Sequence, residues 1–282
     1  MRLLFLSFAV LLALIASAQA NEREQTVCGF IKEPLLFWFW SSAAPEPDES
    51  RINDINYIKA TKFNTSDGKT LRGYKYLSND GKGNRTPPKG YVLMALGNAM
   101  IADQIIGELR DFAASSYDVY IYDYRGYGNS EGKRRINAII EDYKEIISSL
   151  NGEYEKRLLY GISLGGAIIL NAIGSGVGYD SAVIDSSPSL LSEHGCPERI
   201  DPIKNLPKDS RKLLVITGKK DPVLNDNMTS LLRVEAQKRG ASVIDGDDFS
   251  HPFMDQSIAV HKRRMKKALD HLVNASNGVE TN

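Results

Sequence analysis

The stretch that decides the fold is Leu158-Leu159-Tyr160-Gly161-Ile162-Ser163-Leu164-Gly165-Gly166. It begins with a short apolar run that is typical of a buried strand, and the apolar run 167–173 that follows predicts a buried helix. Between the two, Ser163 lies in a Gly-x-Ser-x-Gly pattern whose glycines leave room for a sharp turn. Strand, turn and helix together are the context of a nucleophile elbow, which exposes a serine hydroxyl. The alternative interpretation is a Gly/Ser turn that only reverses the chain.

The same alternation of strand and helix extends along the chain on both sides of this stretch. Continuous apolar runs, as in strands covered on both faces, lie at residues 91–96, 118–123, 158–160, 181–185, 213–218 and 242–244. Helical patterns lie at residues 101–115, 135–150, 167–173, 227–239 and 255–273. Before them, 52–63 and 69–77 alternate apolar and polar residues, which predicts an antiparallel hairpin. The fold class is therefore α/β, with a mostly parallel central sheet, an antiparallel leading hairpin and helices on both faces.

Composition bounds the domain organisation and the partners. The chain has 282 residues, 42% of them hydrophobic, with 35 basic and 35 acidic side chains. A formal net charge of zero gives no indication of a nucleic-acid partner, and two cysteines without histidine-rich spacing give no metal signature. We expect a signal peptide over 1–20, an aromatic and proline-containing segment over 21–50, one catalytic domain over 51–276 and a tail over 277–282.

The first twenty residues have the pattern of a secretory signal. Arg2 precedes the apolar stretch Leu3–Ala16, and Ala18-Gln19-Ala20 fits a small-x-small cleavage site. We expect cleavage after Ala20 and export to the periplasm or the medium, with an uncleaved membrane anchor as the alternative. In an oxidising compartment Cys28 and Cys196 can pair, but the sequence leaves the pairing undecided.

Two further stretches have more than one interpretation. The cluster Phe37-Trp38-Phe39-Trp40 is suited to a membrane interface or an acyl chain, or to burial against the body of the protein. The basic run His261–Lys267 falls in the last predicted helix, where a solvated helix face is expected.

The serine needs a base within hydrogen-bond reach, and the base needs an acid that orients it. His251 follows the last predicted strand and is the preferred base, ahead of His194 in an earlier loop. Asp221 follows the strand 213–218 and is the preferred acid, with Asp185 at the end of the preceding strand as its rival. The chain order is then serine, acid, histidine, and all three positions come after strands whose carboxyl ends share one sheet edge.

A tetrahedral intermediate also needs donors for its oxyanion. The backbone N–H of Leu164, at the start of the helix after Ser163, is one candidate. The second is expected from the turn after Leu96, where Asn98 or Ala99 can donate a backbone N–H.

At these residues the chain resembles the α/β-hydrolases, in particular the branch of Bem46-like, depalmitoylating and serine-aminopeptidase-like proteins. The resemblance covers roughly residues 52–275. Its motifs are Leu96-Gly97-Asn98-Ala99, Tyr122-Asp123-Tyr124-Arg125-Gly126-Tyr127-Gly128-Asn129-Ser130-Glu131-Gly132, Gly161-Ile162-Ser163-Leu164-Gly165-Gly166, Thr217-Gly218-Lys219-Lys220-Asp221-Pro222-Val223 and Ser250-His251.

Two positions depart from the family pattern. The family often has histidine at the position of Leu96, where it supports the oxyanion loop, and glycine at the position of Ser250. The resemblance implies that Asp123 and Arg125 are structural and shape the loop beside the site.

The resemblance implies a serine hydrolase without cofactor that cleaves carboxylic esters or thioesters of a small-molecule or acylated substrate. A short connection over 186–211, which contains four prolines, predicts a minimal cap and a fairly open site. Alternatives are a peptidase or amidase with the same triad, and a non-catalytic binding protein that has kept the fold. The oligomeric state is not predicted.

Overall fold

The computed structural model describes residues 23–53 and 55–276. The proposed signal peptide over 1–20 and the tail over 277–282 lie outside these residues. The strands are β1 (Ile58–Asn64), β2 (Thr70–Tyr76), β3 (Gly90–Ala95), β4 (Tyr117–Tyr122), β5 (Lys156–Ile162), β6 (Ser181–Asp185), β7 (Leu213–Gly218) and β8 (Ser242–Gly246). The helices are α1 (Lys32–Ser41), α2 (Ala102–Ile105), α3 (Arg110–Ala114), α4 (Ile136–Asn151), α5 (Leu164–Gly174), α6 (Asp226–Lys238) and α7 (Ile258–Ser276).

In the described part of the chain, the eight strands form one sheet in the order β1-β2-β4-β3-β5-β6-β7-β8. The pairings from β3 to β8 are parallel, whereas β1 with β2 and β2 with β4 are antiparallel. The predicted α/β class with an antiparallel leading hairpin is confirmed. The strand order reverses at β3 and β5, and such a switch point leaves a crevice at the carboxyl ends of the strands.

The central strands are buried from end to end because helices cover both faces of the sheet. Every residue of β3, β4 and β6 is buried, as the continuous apolar runs predict. The apolar helix α5 is buried from Gly165 to Ile173 and packs against β5, β3 and β6. This packing holds the start of α5, directly after Ser163, in the switch-point crevice.

Two predicted elements differ most from the observed bounds. The helix expected over 101–115 is divided into α2, a 3₁₀ helix (Ile106–Leu109) and α3; Gly107, a poor helix former, lies at the break. The first strand begins at Ile58, because turns precede it: the Ile52 N–H donates to the Glu49 carbonyl (3.1 Å), the Ile55 N–H donates to the Ile52 carbonyl (3.0 Å), and Tyr57 has φ 75°. The connection over 186–211 contains three 3₁₀ turns, at Ser192–His194, Glu198–Ile200 and Pro202–Asn205.

The N-terminal segment is fastened to the body at two points. A disulfide joins Cys28 to Cys196, the pairing that the sequence leaves undecided. The buried Glu33 carboxylate accepts the backbone N–H groups of Val27 (2.7 Å) and Cys28 (2.9 Å) on Oε2 and that of Ile136 (2.9 Å) on Oε1. Within residues 23–53 and 55–276, no helix combines the length and hydropathy needed to cross a membrane.

Candidate active site

Ser163 lies at the tip of the turn between β5 and α5 in a strained conformation. Its backbone has φ 52° and ψ −117°, a positive φ that non-glycine residues rarely adopt. The flanking glycines permit this turn, because a Cβ on Gly165 would lie 2.1 Å from the Ala95 carbonyl oxygen and one on Gly161 would lie 2.5 Å from that of Gly165. The strained serine with tightly packed glycines is the geometry of a nucleophile elbow.

The preferred base and acid are brought into contact. His251 Nδ1 lies 2.8 Å from Asp221 Oδ2. The other oxygen, Oδ1, accepts the backbone N–H groups of Val223 (2.8 Å) and Leu224 (2.9 Å). Burial alone would raise the pKa of Asp221, but the hydrogen bonds from His251 and the two N–H groups hold it below its ordinary value. An ionised Asp221 fixes the imidazole with Nε2 free to face a hydroxyl.

The rival acid, Asp185, is engaged elsewhere. Arg264 donates from Nε to both of its oxygens (3.1 and 3.0 Å) and from Nη2 to Oδ1 (2.6 Å), while the Tyr160 hydroxyl donates to Oδ2 (2.9 Å). Both Asp185 and Arg264 are wholly buried. The expectation of a solvated basic face is wrong for Arg264, although its neighbours Arg263 and Lys266 are exposed. The sequence gives no signal for this pair, whose members are 79 residues apart.

Arg264 also holds the loop that carries His251. Its Nη1 donates to the Ser250 carbonyl (2.7 Å) and approaches Asp255 Oδ1 (3.3 Å), and Asp255 Oδ1 accepts the Ser250 N–H (2.9 Å). The residue before the histidine is thereby fixed on both its backbone groups. His194, the second candidate base, lines the same cavity as Ser163 but makes no hydrogen bond to a carboxylate within the described residues.

The turn after β3, which carries the proposed oxyanion donors, lies beside the serine. A Cβ on Gly97 would lie 3.6 Å from Ser163 Cβ. Ala99 has φ 62°, and its N–H donates to Oδ1 of Asn98 (3.1 Å). Of the two candidate donors in this turn, the Asn98 N–H is thus the better one, because that of Ala99 already has an acceptor. Leu164 is the first residue of α5, so its N–H lies at the positive end of the helix dipole.

The loop over 122–132 supports this turn where the family often uses a histidine. The Tyr124 hydroxyl donates to the Leu96 carbonyl at 2.5 Å, and the Tyr127 hydroxyl donates to Asn98 Oδ1. Asp123 Oδ1 accepts the N–H of Ala102 at 2.6 Å. Burial raises the pKa of Asp123 to about 7. Two tyrosine hydroxyls therefore hold the turn that begins at Leu96.

Arg125, from the same loop, is buried in a cluster of carboxylates. It binds Asp142 through Nε (2.7 Å), Asp67 through Nη1 (2.9 Å) and Glu24 through Nη1 (3.1 Å). Burial alone would raise the pKa of Asp67, but hydrogen bonds from Arg125 and Thr65 lower it to about 2. These contacts tie the leading hairpin and the N-terminal segment to α4.

Ser163 and His251 open into a cavity of about 630 Å³. Its walls are mainly apolar and come from the turn after β3, the connection after β6, the loops after β7 and β8, and the N-terminal segment. The N-terminal contribution comes from Cys28, Glu33 and Phe37. Contact with an acyl chain is one of the interpretations of the aromatic cluster that includes Phe37, whereas no sequence signal places Cys28 or Glu33 at the site. The remaining walls include Met100, Ile105, Ile136, Leu164, Pro188, Leu191, Val223, Leu224, Met228, Pro252, Phe253 and Met254.

The aromatic cluster 37–40 divides between the interior and the surface. Phe37 is buried and lines the cavity, whereas Trp38 is 65% exposed. The side chains of Phe39 and Trp40 lie outside the described residues. One member of the cluster therefore forms a wall of the cavity, and its neighbour faces outward.

Comparison with known proteins finds hydrolases among the similar sequences and structures. The family model of serine aminopeptidases, S33 (Hydrolase_4), matches residues 86–206. A monoacylglycerol lipase of Mycolicibacterium smegmatis is 29% identical over 116 residues, which are 39% of this chain and 41% of the lipase. The chain thus matches less than half the length of that relative.

Solved structures share the fold over most of the chain. The esterase Pf2001 of Pyrococcus furiosus aligns with a TM-score of 0.62 at 16% identity, covering 82% of this chain and 96% of the esterase. XC6422 of Xanthomonas campestris, described as an α/β serine hydrolase without lid, aligns with a TM-score of 0.59 at 14% identity, covering 84% and 99%. The chain thus has the α/β-hydrolase fold, and the family match over residues 86–206 and the lipase relative support a place in the α/β-hydrolase superfamily.

Proposed function

We propose that the protein cleaves carboxylic ester or thioester bonds through Ser163, His251 and Asp221. The observation that carries the proposal is the His251–Asp221 hydrogen bond of 2.8 Å at the cavity that Ser163 also lines. With Nδ1 committed to the carboxylate, Nε2 is the nitrogen that can take a proton from the serine hydroxyl.

The proposed reaction runs through an acyl-enzyme. Ser163 Oγ attacks the substrate carbonyl while its proton passes to His251 Nε2, and the N–H groups of Leu164 and Asn98 donate to the oxyanion. The intermediate collapses as His251 returns that proton to the leaving alcohol or thiol. A water molecule, deprotonated by His251, then attacks the acyl-serine and releases the carboxylic acid.

The cavity supports an acyl chain as the group that is recognised. Its volume of about 630 Å³ is within the range of small-molecule sites, and apolar side chains form most of its wall. Phe37, on α1, extends this wall from the N-terminal side. We therefore expect esters with an apolar acyl group to be better substrates than acetate esters.

Hydrolysis of nitrophenyl esters of graded chain length, with Ser163→Ala as control, tests this function. Wild-type protein should turn over the esters with kcat/KM that rises with chain length, and Ser163→Ala should lose about 10⁴-fold or more. The variant Phe37→Ala should move the preference to longer chains. Equal turnover by wild type and Ser163→Ala would remove Ser163 from the reaction.

Peptide hydrolysis by the same triad is less well supported. A substrate amine needs a free acidic partner, and the acidic side chain lining the cavity is Glu33. Three backbone N–H groups already donate to its carboxylate. Turnover of aminoacyl-nitroanilides but not of esters would favour the peptidase. A folded protein that forms no covalent adduct would favour a non-catalytic binding protein.

Export is proposed on two grounds that are independent of the reaction. The residues before position 21 have a signal pattern, and the Cys28–Cys196 disulfide is suited to an oxidising compartment. N-terminal sequencing of the protein from an exporting host should give a mature chain that starts at Asn21. A chain that starts at Met1 and sediments with membranes would support the uncleaved anchor.

A further inference from the structure

The outer side of α1 and the turn before it carry large apolar side chains that are mostly exposed to solvent. Phe30, Ile31, Leu35 and Trp38 are 55–85% exposed. The last three follow the spacing i, i+4, i+7, which places them on one side of the helical turn. Glu33 and Phe37, also four apart, are buried on the other side. The segment therefore presents one apolar side to the cavity and a second to solvent.

A basic notch lies directly beside this apolar surface. A depression of about 340 Å³ is lined by Pro34, Phe37 and Trp38 from α1 and by Lys133, Arg134 and Arg135 from the segment before α4. Phe37 therefore contributes to both the notch and the catalytic cavity.

Two cations of the notch have no acidic partner among the residues that the structure describes. Within the described residues, no carboxylate lies in ion-pair distance of Lys133 or Arg135, whereas the nearby Glu24 is bound to Arg125 and to the Lys133 backbone N–H. Arg135 Nη1 donates to the Arg134 carbonyl (2.8 Å), a contact that leaves its positive charge uncompensated. The notch thus offers positive charge beside an exposed tryptophan.

We infer that this surface docks on an anionic phospholipid bilayer, with Lys133 and Arg135 on lipid phosphates and Ile31, Leu35 and Trp38 in the headgroup layer. Charge complementarity carries the inference, since apolar side chains on one face and cations beside them are the combination that binds anionic membrane surfaces. Tryptophan is enriched at the interface between membrane and water in membrane-bound proteins.

The helix α1 separates the notch from the catalytic cavity, and its Phe37 lines both. Docking through the notch therefore brings the catalytic cavity close to the bilayer surface.

Tryptophan fluorescence tests the docking directly. The chain contains two tryptophans, both in α1, so Trp40→Phe leaves Trp38 as the reporter. The mature chain from Asn21, with Ser163→Ala and Trp40→Phe, is mixed with vesicles of phosphatidylcholine alone or with added phosphatidylglycerol, each containing a quencher on the acyl chain. We expect quenching and a blue shift only with the anionic vesicles, weakening as salt screens the charges.

Charge and anchor variants should then weaken binding to the anionic vesicles. Lys133→Gln with Arg135→Gln should lower the partition coefficient by about 30-fold, since each basic residue near the surface contributes about 1 kcal/mol. The matched control Lys62→Gln, an exposed lysine on β1, should leave it unchanged. Leu35→Ser should weaken binding about 10-fold, whereas Val234→Ser, at an exposed position of α6, should not.

Two outcomes would overturn the inference. If anionic vesicles do not quench the fluorescence of Trp38, the surface does not enter a bilayer. A Leu35-dependent dimer in light scattering, together with unquenched Trp38, would assign the surface to a second copy of the chain. Because the protein carries Ser163→Ala, neither result depends on the proposed hydrolase activity.

Discussion

Replacing Arg264 by methionine should destabilise the protein strongly while the exposed face of α7 stays intact. The guanidinium is fully buried and donates to Asp185, to the Ser186 hydroxyl and to the Ser250 carbonyl. Methionine keeps the apolar stem but leaves the Asp185 carboxylate buried with the Tyr160 hydroxyl as its side-chain donor. Breaking a buried pair in this way costs about 3–5 kcal/mol of unfolding free energy, which corresponds to a Tm lower by about 10 °C.

Urea denaturation of wild type, Arg264→Met and the control Lys266→Met measures the loss. Lys266 lies on the same helix and pairs with Asp270 at the surface, so its replacement should cost less than about 1 kcal/mol. Adding Asp185→Asn to Arg264→Met should restore part of the stability, with a coupling energy of about 0.5–3 kcal/mol. Additive single losses, or a loss below about 1 kcal/mol for Arg264→Met, would refute the reasoning.

Three further outcomes follow from the structure. Asp221→Asn should lower kcat for a short nitrophenyl ester by about 10⁴-fold, since the imidazole loses its orienting carboxylate. Folded Asp185→Asn should retain far more turnover, and similar losses in the two variants would contradict the assignment of Asp221 as the acid. The folded-state pKa of Asp67 is about 2, below its ordinary value of 3.8, so its ionised form stabilises the fold above pH 3.8 and this stability is lost as the pH falls through 2. Asp67→Asn should therefore cost more unfolding free energy at pH 7 than at pH 2, and a pH-independent difference would argue against the ion pair. Replacing Cys28 and Cys196 by serine should lower stability by about 2–4 kcal/mol in urea titrations, and an unchanged midpoint in oxidised protein would exclude a stabilising cross-link.

The parts of the site that the sequence predicts are those with local signals. Gly161 and Gly165 indicate the turn at Ser163, because a side chain at either position would collide with backbone. Asp221 and His251 each follow a strand of the parallel sheet, so their approach follows from the topology. In such a sheet, position along the chain is enough to bring polar residues to one edge.

The parts that the sequence does not predict depend on contacts between distant segments. The sequence around Arg264 does not distinguish it from the exposed cations beside it. Its side chain is buried because it pairs with Asp185, on a strand 79 residues earlier. Glu33 binds the N–H of Ile136, 103 residues away, and so places Phe37 at the cavity. Hydropathy gives an aromatic cluster near position 37 but not which of its rings faces inward.

The most direct test of the central claim is the mass of the protein after reaction with a fluorophosphonate. If Ser163 is a nucleophile activated by His251, wild-type protein should gain one adduct, and peptide mapping should place it on Ser163. Ser163→Ala should gain none, and His251→Ala should react far more slowly. An adduct on a different residue, or an equal adduct in Ser163→Ala, would contradict the account.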